Sequence, residues 1–259
     1  MKRLTILISN DDSYISEGLI ELIQALQDDH DLYVIVPAEE QSAQGHGITL
    51  HRPIRRRDVI KESTSKVKMF YAVDGTPADC IKLGVRKFLI TKPDIVLSGI
   101  NTGPNLGGDI IYSGTVSAAH EGLIEGVPAI AVSCASLREE KPFTAIAQKF
   151  VSMFPKLYDM VSGQNDFLLN VNFPYLEDYA SAEALFTVLG NVTWGEMVEE
   201  RTDPEGKLYY WLLGKVKDVA QEKQYTDIEA IQKQNISITP VHFDMTALTI
   251  FEKYRKVIL

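Results

Sequence analysis

Cysteine is scarce in this chain of 259 residues: Cys80 and Cys134 are the only two. They form no paired spacing of the zinc type, and two distant thiols do not make a disulfide framework, so both are expected as buried apolar fillers in a reducing compartment, the cytoplasm. Positive charge is also in short supply. Against 35 acidic residues stand 26 basic ones, a net charge of −9, which argues against a protein that grips a nucleic-acid duplex through a basic face. Long apolar runs are missing as well. After Met1-Lys2-Arg3 the stretch LTILI ends at five residues, too short for a signal peptide, and no later run approaches a membrane span. Internal repeats, low-complexity tracts and flexible linkers are not found either, so composition marks no clean boundary between domains.

What is present suits a compact globular protein. With 45% apolar and 24% charged residues, a chain of this length can bury a sizeable core. Residues 3–9 and 32–36 are short β-prone runs, apolar on both faces as in buried parallel strands. Between them Ile15, Leu19, Leu22, Ile23 and Leu26 form one stripe of helical period, with Glu17, Glu21, Gln24 and Gln27 facing away. The theme recurs: a helix over 76–89, a strand at 94–98, a helix over about 115–125, a strand at 128–133, a helix near 142–161 and a strand at 167–171. Such alternation specifies an α/β fold with a doubly wound, mostly parallel sheet, because parallel strands need crossover helices that cover both faces. From about residue 180 the character changes. Extended segments flank the turn Asp203-Pro204-Glu205-Gly206, and an antiparallel hairpin appended to the core is expected over 192–216. Residues 1–180 are read as the core and 181–259 as an extension within one structural unit.

Ligands of such sheets bind at the carboxyl ends of the strands, and three segments fall there. Asn10-Asp11-Asp12-Ser13 follows the first strand; capping of the next helix explains it, and so does a hard divalent cation, since adjacent carboxylates repel unless neutralised. The loop from Pro37 to Gly47 opens on the same edge, and it can equally be an ordinary surface loop. SGINTGPNLGGD (98–109), continued by IIYSGT, holds five glycines and leads into a helix start at Ser113-Gly114-Thr115, where free N–H groups suit an anion. It matches neither the dinucleotide fingerprint nor the GxxxxGK[ST] loop. No local signal for a covalent nucleophile is present, which leaves metal-activated water as the default chemistry.

Taken together, LISNDDS, EEQSAQGHGITL, GTPADCIKLG and SGINTGPNLGGDIIYSGTVSAAHEGLIEGVPAIAVS resemble the SurE family of stationary-phase survival 5′/3′-nucleotidases, with YYWLLG and ISITPVHFD similar to the family's tail. The resemblance implies a Rossmann-like core, a C-terminal extension used in forming a homodimer or homotetramer, and a divalent-metal-dependent phosphatase acting on nucleoside monophosphates. It further implies one Mg²⁺ or Mn²⁺ ion held by Asp11, Asp12, Ser42 and Asn101, a phosphate site of Asn105, Ser113, Gly114 and Thr115, and catalytic roles for Asp11, Asp12 and Asn105. Oxygen donors without His or Cys suit those ions better than zinc. Two departures stand out: Ser13 replaces the usual Gly after NDD, and His46 occupies a variable place. Of the other histidines, His30 and His51 are expected at the surface, His120 in ordinary packing, and His242 either as a satisfied core or edge-strand residue or at the active edge as a proton donor. Arg52, Arg55, Arg56 and Arg57 either assist an anionic substrate or decorate a solvated strand end. A nucleotide-binding regulator that does not turn over is the competing reading, and a nucleotide-sugar transferase a third.

Overall fold

The computed structural model describes residues 2–60, 62–136, 138, 140–194, 198–212, 216–217 and 224–255. Its centre is a sheet whose strands alternate side chains between two apolar layers, as a strand's two-residue period requires. In β1 (Thr5–Ser9) Ile6 and Ile8 point into one layer and Leu7 into the other. The first layer is covered by α1 (Glu17–Leu26), whose Leu19, Leu22, Ile23 and Leu26 are buried as the stripe predicts. Ile15 is not part of it. The helix starts at Glu17 with Ser16 before it, and Ile15 is left 67% exposed.

The chain continues through β2 (Asp31–Pro37), the polar β3 (Arg56–Asp58), β4 (Met69–Val73), α2 (Pro77–Leu83), β5 (Ile95–Thr102), α3 (Gly114–Ile124), β6 (Ala129–Cys134), α4 (Phe143–Val161) and β7 (Phe167–Phe173). The expected helix over 76–89 divides: α2 is closed at its start by a capping box of Thr76 and Asp79, and residues 84–88 widen into a π-helical turn. α1 and α4 pack on one face through residues such as Ile146, Phe150 and Phe154, and α2 and α3 on the other through Ile81, Val116, Ala119 and Leu123. Truncating a fully buried ring such as Phe154 to Ala costs about 3–5 kcal/mol in cores of this kind.

β8 (Ala184–Phe186) and β13 (Ile236–His242) complete a nine-stranded sheet in the order β3-β4-β2-β1-β5-β6-β7-β13-β8. β1, β2, β4, β5, β6 and β7 run parallel; β3 and β13 are antiparallel to their neighbours β4 and β7. The doubly wound core is therefore as expected, and the sheet runs on past residue 180 to take up β13 and β8. β10 (Val198–Thr202) and β11 (Leu208–Leu212) form the expected hairpin around Asp203–Gly206, extended by β9 (Thr193–Trp194) paired with β12 (Val216–Lys217). Tyr209, Tyr210, Trp211 and Leu212 are all exposed, while the Trp194 side chain and Leu213 lie outside the described residues. α5 (Asp227–Gln232) and α6 (Leu248–Tyr254) close the chain. Among the described residues no helix is long and apolar enough to cross a membrane.

One histidine differs from expectation, and the structure decides between the alternatives for another. His30 is buried, because its Nδ1 accepts the Leu4 N–H at 3.3 Å and its ring edge meets Phe154. His242 pairs with Phe167, the first residue of β7, so it sits at the amino edge of the parallel strands, opposite the loops that end them. Its Nδ1 lies 2.8 Å from the Asp166 carbonyl oxygen. It thus sits at the end of β13, a strand flanked by β7 and β8, and away from the active edge.

Candidate functional site

The strand order reverses direction of travel between β1 and β5, and the crevice that such a switch point leaves beyond the carboxyl ends of the strands is the usual ligand position in such sheets. Asp11 and Asp12 leave β1 there. Asp11 is buried, and the first residues of α3 hold its carboxylate: Thr115 donates its N–H to Oδ2 at 3.1 Å and its hydroxyl to Oδ1 at 2.5 Å. The fit is close, since a Cβ added at Gly114 would stand 2.8 Å from the Asp11 Cβ. Asp12, partly exposed, accepts the Thr102 N–H on Oδ2 at 2.9 Å. Two sequence-distant segments therefore meet on one pair of carboxylates.

Electrostatics make that pair costly. Burial pushes the Asp11 carboxyl up to about 6, with Thr115 opposing and the Asp12 charge adding to the rise. Asp12 is also raised, by burial first and by Glu40, while the Thr102 N–H and Lys141 pull it down. Ser42 and Glu40 come from the loop after β2, which the Gln41 N–H ties to the Asp11 carbonyl at 2.8 Å. Ser42 donates its hydroxyl to Glu40 at 2.7 Å. Asn101 is buried at the end of β5, just past a register shift between Ser98 and Asn101, and its amide donates to the Gly103 carbonyl. Among the described residues no three His, Cys, Asp or Glu side chains gather as a metal-holding group. A cation here would thus draw on hydroxyl and amide oxygens beside the two aspartates, a hard-donor set that fits Mg²⁺ or Mn²⁺.

The other side of the crevice is neutral. Asn105 is buried, and its side-chain nitrogen donates to the Ser133 hydroxyl at 2.7 Å. Its backbone N–H goes to Asn172 Oδ1 at 2.9 Å, and its carbonyl accepts from Asn170 and Asn172 at 2.8 and 2.9 Å. Ser113 caps α3, accepting the Val116 N–H at 3.0 Å, and among the described residues the Gly114 N–H has no protein partner. Ser133, Asn170 and Asn172 were not singled out from the sequence. Their signal was there: Asn at 170 and 172 repeats on one face of an otherwise apolar buried strand, and buried amides need partners.

The remaining candidates flank this centre. His46 turns to the side of α3, with Nε2 2.9 Å from Glu121 and its ring stacked on His120, which burial and the neighbouring His46 pull down to about 4. Arg56 lies over Tyr71 and Arg57 over Tyr14, while Arg52 is 3.5 Å from Asp74; all are exposed, Arg56 and Arg57 within the edge strand β3 and Arg52, like the exposed Arg55, in the chain before it.

The comparisons agree with one another. The family model described as Survival protein SurE matches residues 6–196. A protein named 5′-nucleotidase SurE from Pelotomaculum thermopropionicum is 43% identical over 258 residues, covering 98% of this chain and 95% of that one. Another of the same name from Carboxydothermus hydrogenoformans is 44% identical over 246 residues, covering 94% and 92%. The crystal structure of the SurE protein from Aquifex aeolicus superposes with a TM-score of 0.82 at 38% identity, over 97% of this chain and 98% of that one. With a family model matching residues 6–196 and relatives alike over nearly the whole chain, this protein belongs to the SurE family.

Proposed function

We propose that this crevice hydrolyses the phosphate ester of nucleoside monophosphates, as 5′-nucleotidases do, with one Mg²⁺ or Mn²⁺ ion. The observation that carries the reading is the pair Asp11 and Asp12 at the switch point of the sheet, both raised by burial first, Asp11 further by the Asp12 charge and Asp12 by Glu40. Its relatives' shared name points the same way. Asp11, Asp12, Ser42 and Asn101 would hold the cation, which when bound supplies Lewis acidity and a water of lowered pKa. Thr115 fixes the Asp11 carboxylate. Asp12, half open to the crevice and held by the Thr102 N–H, orients the attacking water. Asn105 has a second side-chain hydrogen besides the one given to Ser133. That hydrogen, with the Gly114 N–H and the Ser113 end of α3, would meet the phosphoryl oxygens as charge shifts onto them.

The test is release of inorganic phosphate from a panel of 5′- and 3′-nucleoside monophosphates with Mg²⁺, with Mn²⁺ and with chelator. Release that depends on the cation is expected. Nucleotide binding without release would instead make the protein a regulator.

The exposed aromatic strip on β11 extends the proposal to assembly. A two-stranded ribbon cannot bury that area by itself, so the arm packs on another copy of the chain as a homodimer or homotetramer. Replacing 198–213 with a short Gly-Ser link should lower the mass measured by light scattering; an unchanged mass assigns the interface elsewhere. Free, buried Cys80 and Cys134 suit the reducing cytoplasm.

A further inference from the structure

The loop that bears Asn105 is gripped from below by Asn170 and Asn172, and it is also gripped from the side by a residue far along the chain. Asp227, at the start of α5, is fully buried. Its Oδ2 accepts the Gly107 N–H at 2.7 Å, and its Oδ1 accepts the Gly190 N–H at 2.8 Å and the Ile228 N–H at 2.9 Å. A helix cap does not explain this arrangement, because Thr226 already caps α5 through the Glu229 N–H. Nor does an ion pair, since the groups acting on Asp227 are backbone N–H donors. Burying a carboxylate costs free energy unless strong donors meet it. Here two of the three come from segments 120 and 37 residues away in the sequence.

Those segments have different jobs. Gly107 opens the short helical turn Gly107–Ile111, which lies between Asn105 and the Ser113 cap of α3. Gly190 belongs to the strand of chain that leaves for the arm, and the chain returning from the arm pairs beside it: the Val188 N–H donates to the Tyr225 carbonyl and the Asp227 N–H to the Val188 carbonyl. Contact is tight. Gly107 has a φ of +54°, and a Cβ there would stand 2.6 Å from both the Gly190 carbonyl oxygen and the Val192 side chain.

We infer that Asp227 is a positioning residue for the phosphate-side loop, locking that loop and the root of the arm into one unit so that the arm's attachment sets how firmly the phosphoryl group is held. The inference rests on the nucleotidase reading above and deepens it. Asp227 touches no substrate; it acts through the Gly107 backbone.

Asp227→Asn tests it. The amide keeps the shape but offers one acceptor oxygen, so it cannot satisfy Gly107 and Gly190 together. The KM for a nucleoside monophosphate and the inhibition constant of inorganic phosphate should rise together by roughly tenfold, the loss of one charge-assisted hydrogen bond, while kcat changes by less than about threefold. A merely structural Asp227 would lower the melting temperature and the active fraction and leave KM and phosphate inhibition as they were, which would overturn the inference. Hydrogen exchange on the parent protein provides the second measurement, in case the variant does not fold. The Gly107 and Gly190 amides should gain protection together when inorganic phosphate is added; a change at Gly107 alone, or at neither, also overturns it. If the parent releases no phosphate from any nucleotide, the nucleotidase reading fails, and the exchange experiment still decides whether the two amides move as one.

Discussion

On the β1 side of the crevice stand carboxylates that burial holds above their usual range, Asp11 and Asp12, whereas the β5 and α3 side is built from Asn105, Ser113, Ser133, Asn170 and Asn172, neutral groups that are largely one another's partners. The acidic half is electrostatically incomplete by itself. The neutral half is largely satisfied by its own members, with the buried Asn170 Oδ1 left without a partner among the described residues. A site divided in this way separates two tasks: attracting a cation, which needs unneutralised charge, and shaping a phosphoryl pocket, which needs rigid donors.

Removing the charge from the acidic half is the strongest way to break the comparison. Asp12→Asn should lower cation-dependent turnover by roughly 10²–10⁴-fold with little change in melting temperature, because the carboxylate contributes to the cation and water and not to packing. Near-normal turnover would show that the two halves are not distinct in this sense.

Acidity sharpens it next. Asp11 binds its proton more tightly in the fold than in the unfolded chain, with a pKa of about 6 against the usual 3.8. Without a cation, the folded state therefore carries the extra proton between those values and loses stability as the pH rises through them, by about 3 kcal/mol from this group. A bound divalent cation removes that loss. Mn²⁺ or Mg²⁺ should raise the melting temperature more at pH 7.5 than at pH 5, and chelator should cancel the difference. Equal shifts at both pH values would separate the cation from Asp11.

The neutral half predicts smaller effects. Asn105→Ala and Ser113→Ala should each weaken phosphate inhibition by about 1–3 kcal/mol, and Ser113→Ala should in addition cost about 1 kcal/mol of stability through the lost α3 cap. Inhibition constants and thermal melts check both. Unchanged inhibition in the pair would remove that face from substrate contact.

How much of this could be read in the chain depends on which interactions leave a periodic trace. β1, β2, α3, β6, α4 and β7 were legible because burial on one or both faces writes a period of 3.6 or an apolar run. β3 was not: Arg56-Arg57-Asp58 is an exposed edge strand with no apolar pattern to find. β4 is apolar but follows a long irregular connection instead of a crossover helix, so the alternation did not announce it. SITPVHF carries an apolar alternation, yet nothing local tells that β13 enters the main sheet beside β7. Asp11, Asp12 and the glycine-rich loop stood out because their residue types are unusual at strand ends. Asp227 did not, since a carboxylate at a helix start is ordinary and its meaning lies in Gly107, 120 residues away.

The paired entry and exit of the arm has a consequence for divergence. Because the chain departs near Val188 and comes back near Thr226 as immediate neighbours, the ribbon between them is attached like a graft at a single stem. Its length and sequence can drift without shifting the register of any strand in the nine-stranded sheet. Relatives sharing this core are thus free to present different outer surfaces, provided the stem itself is kept.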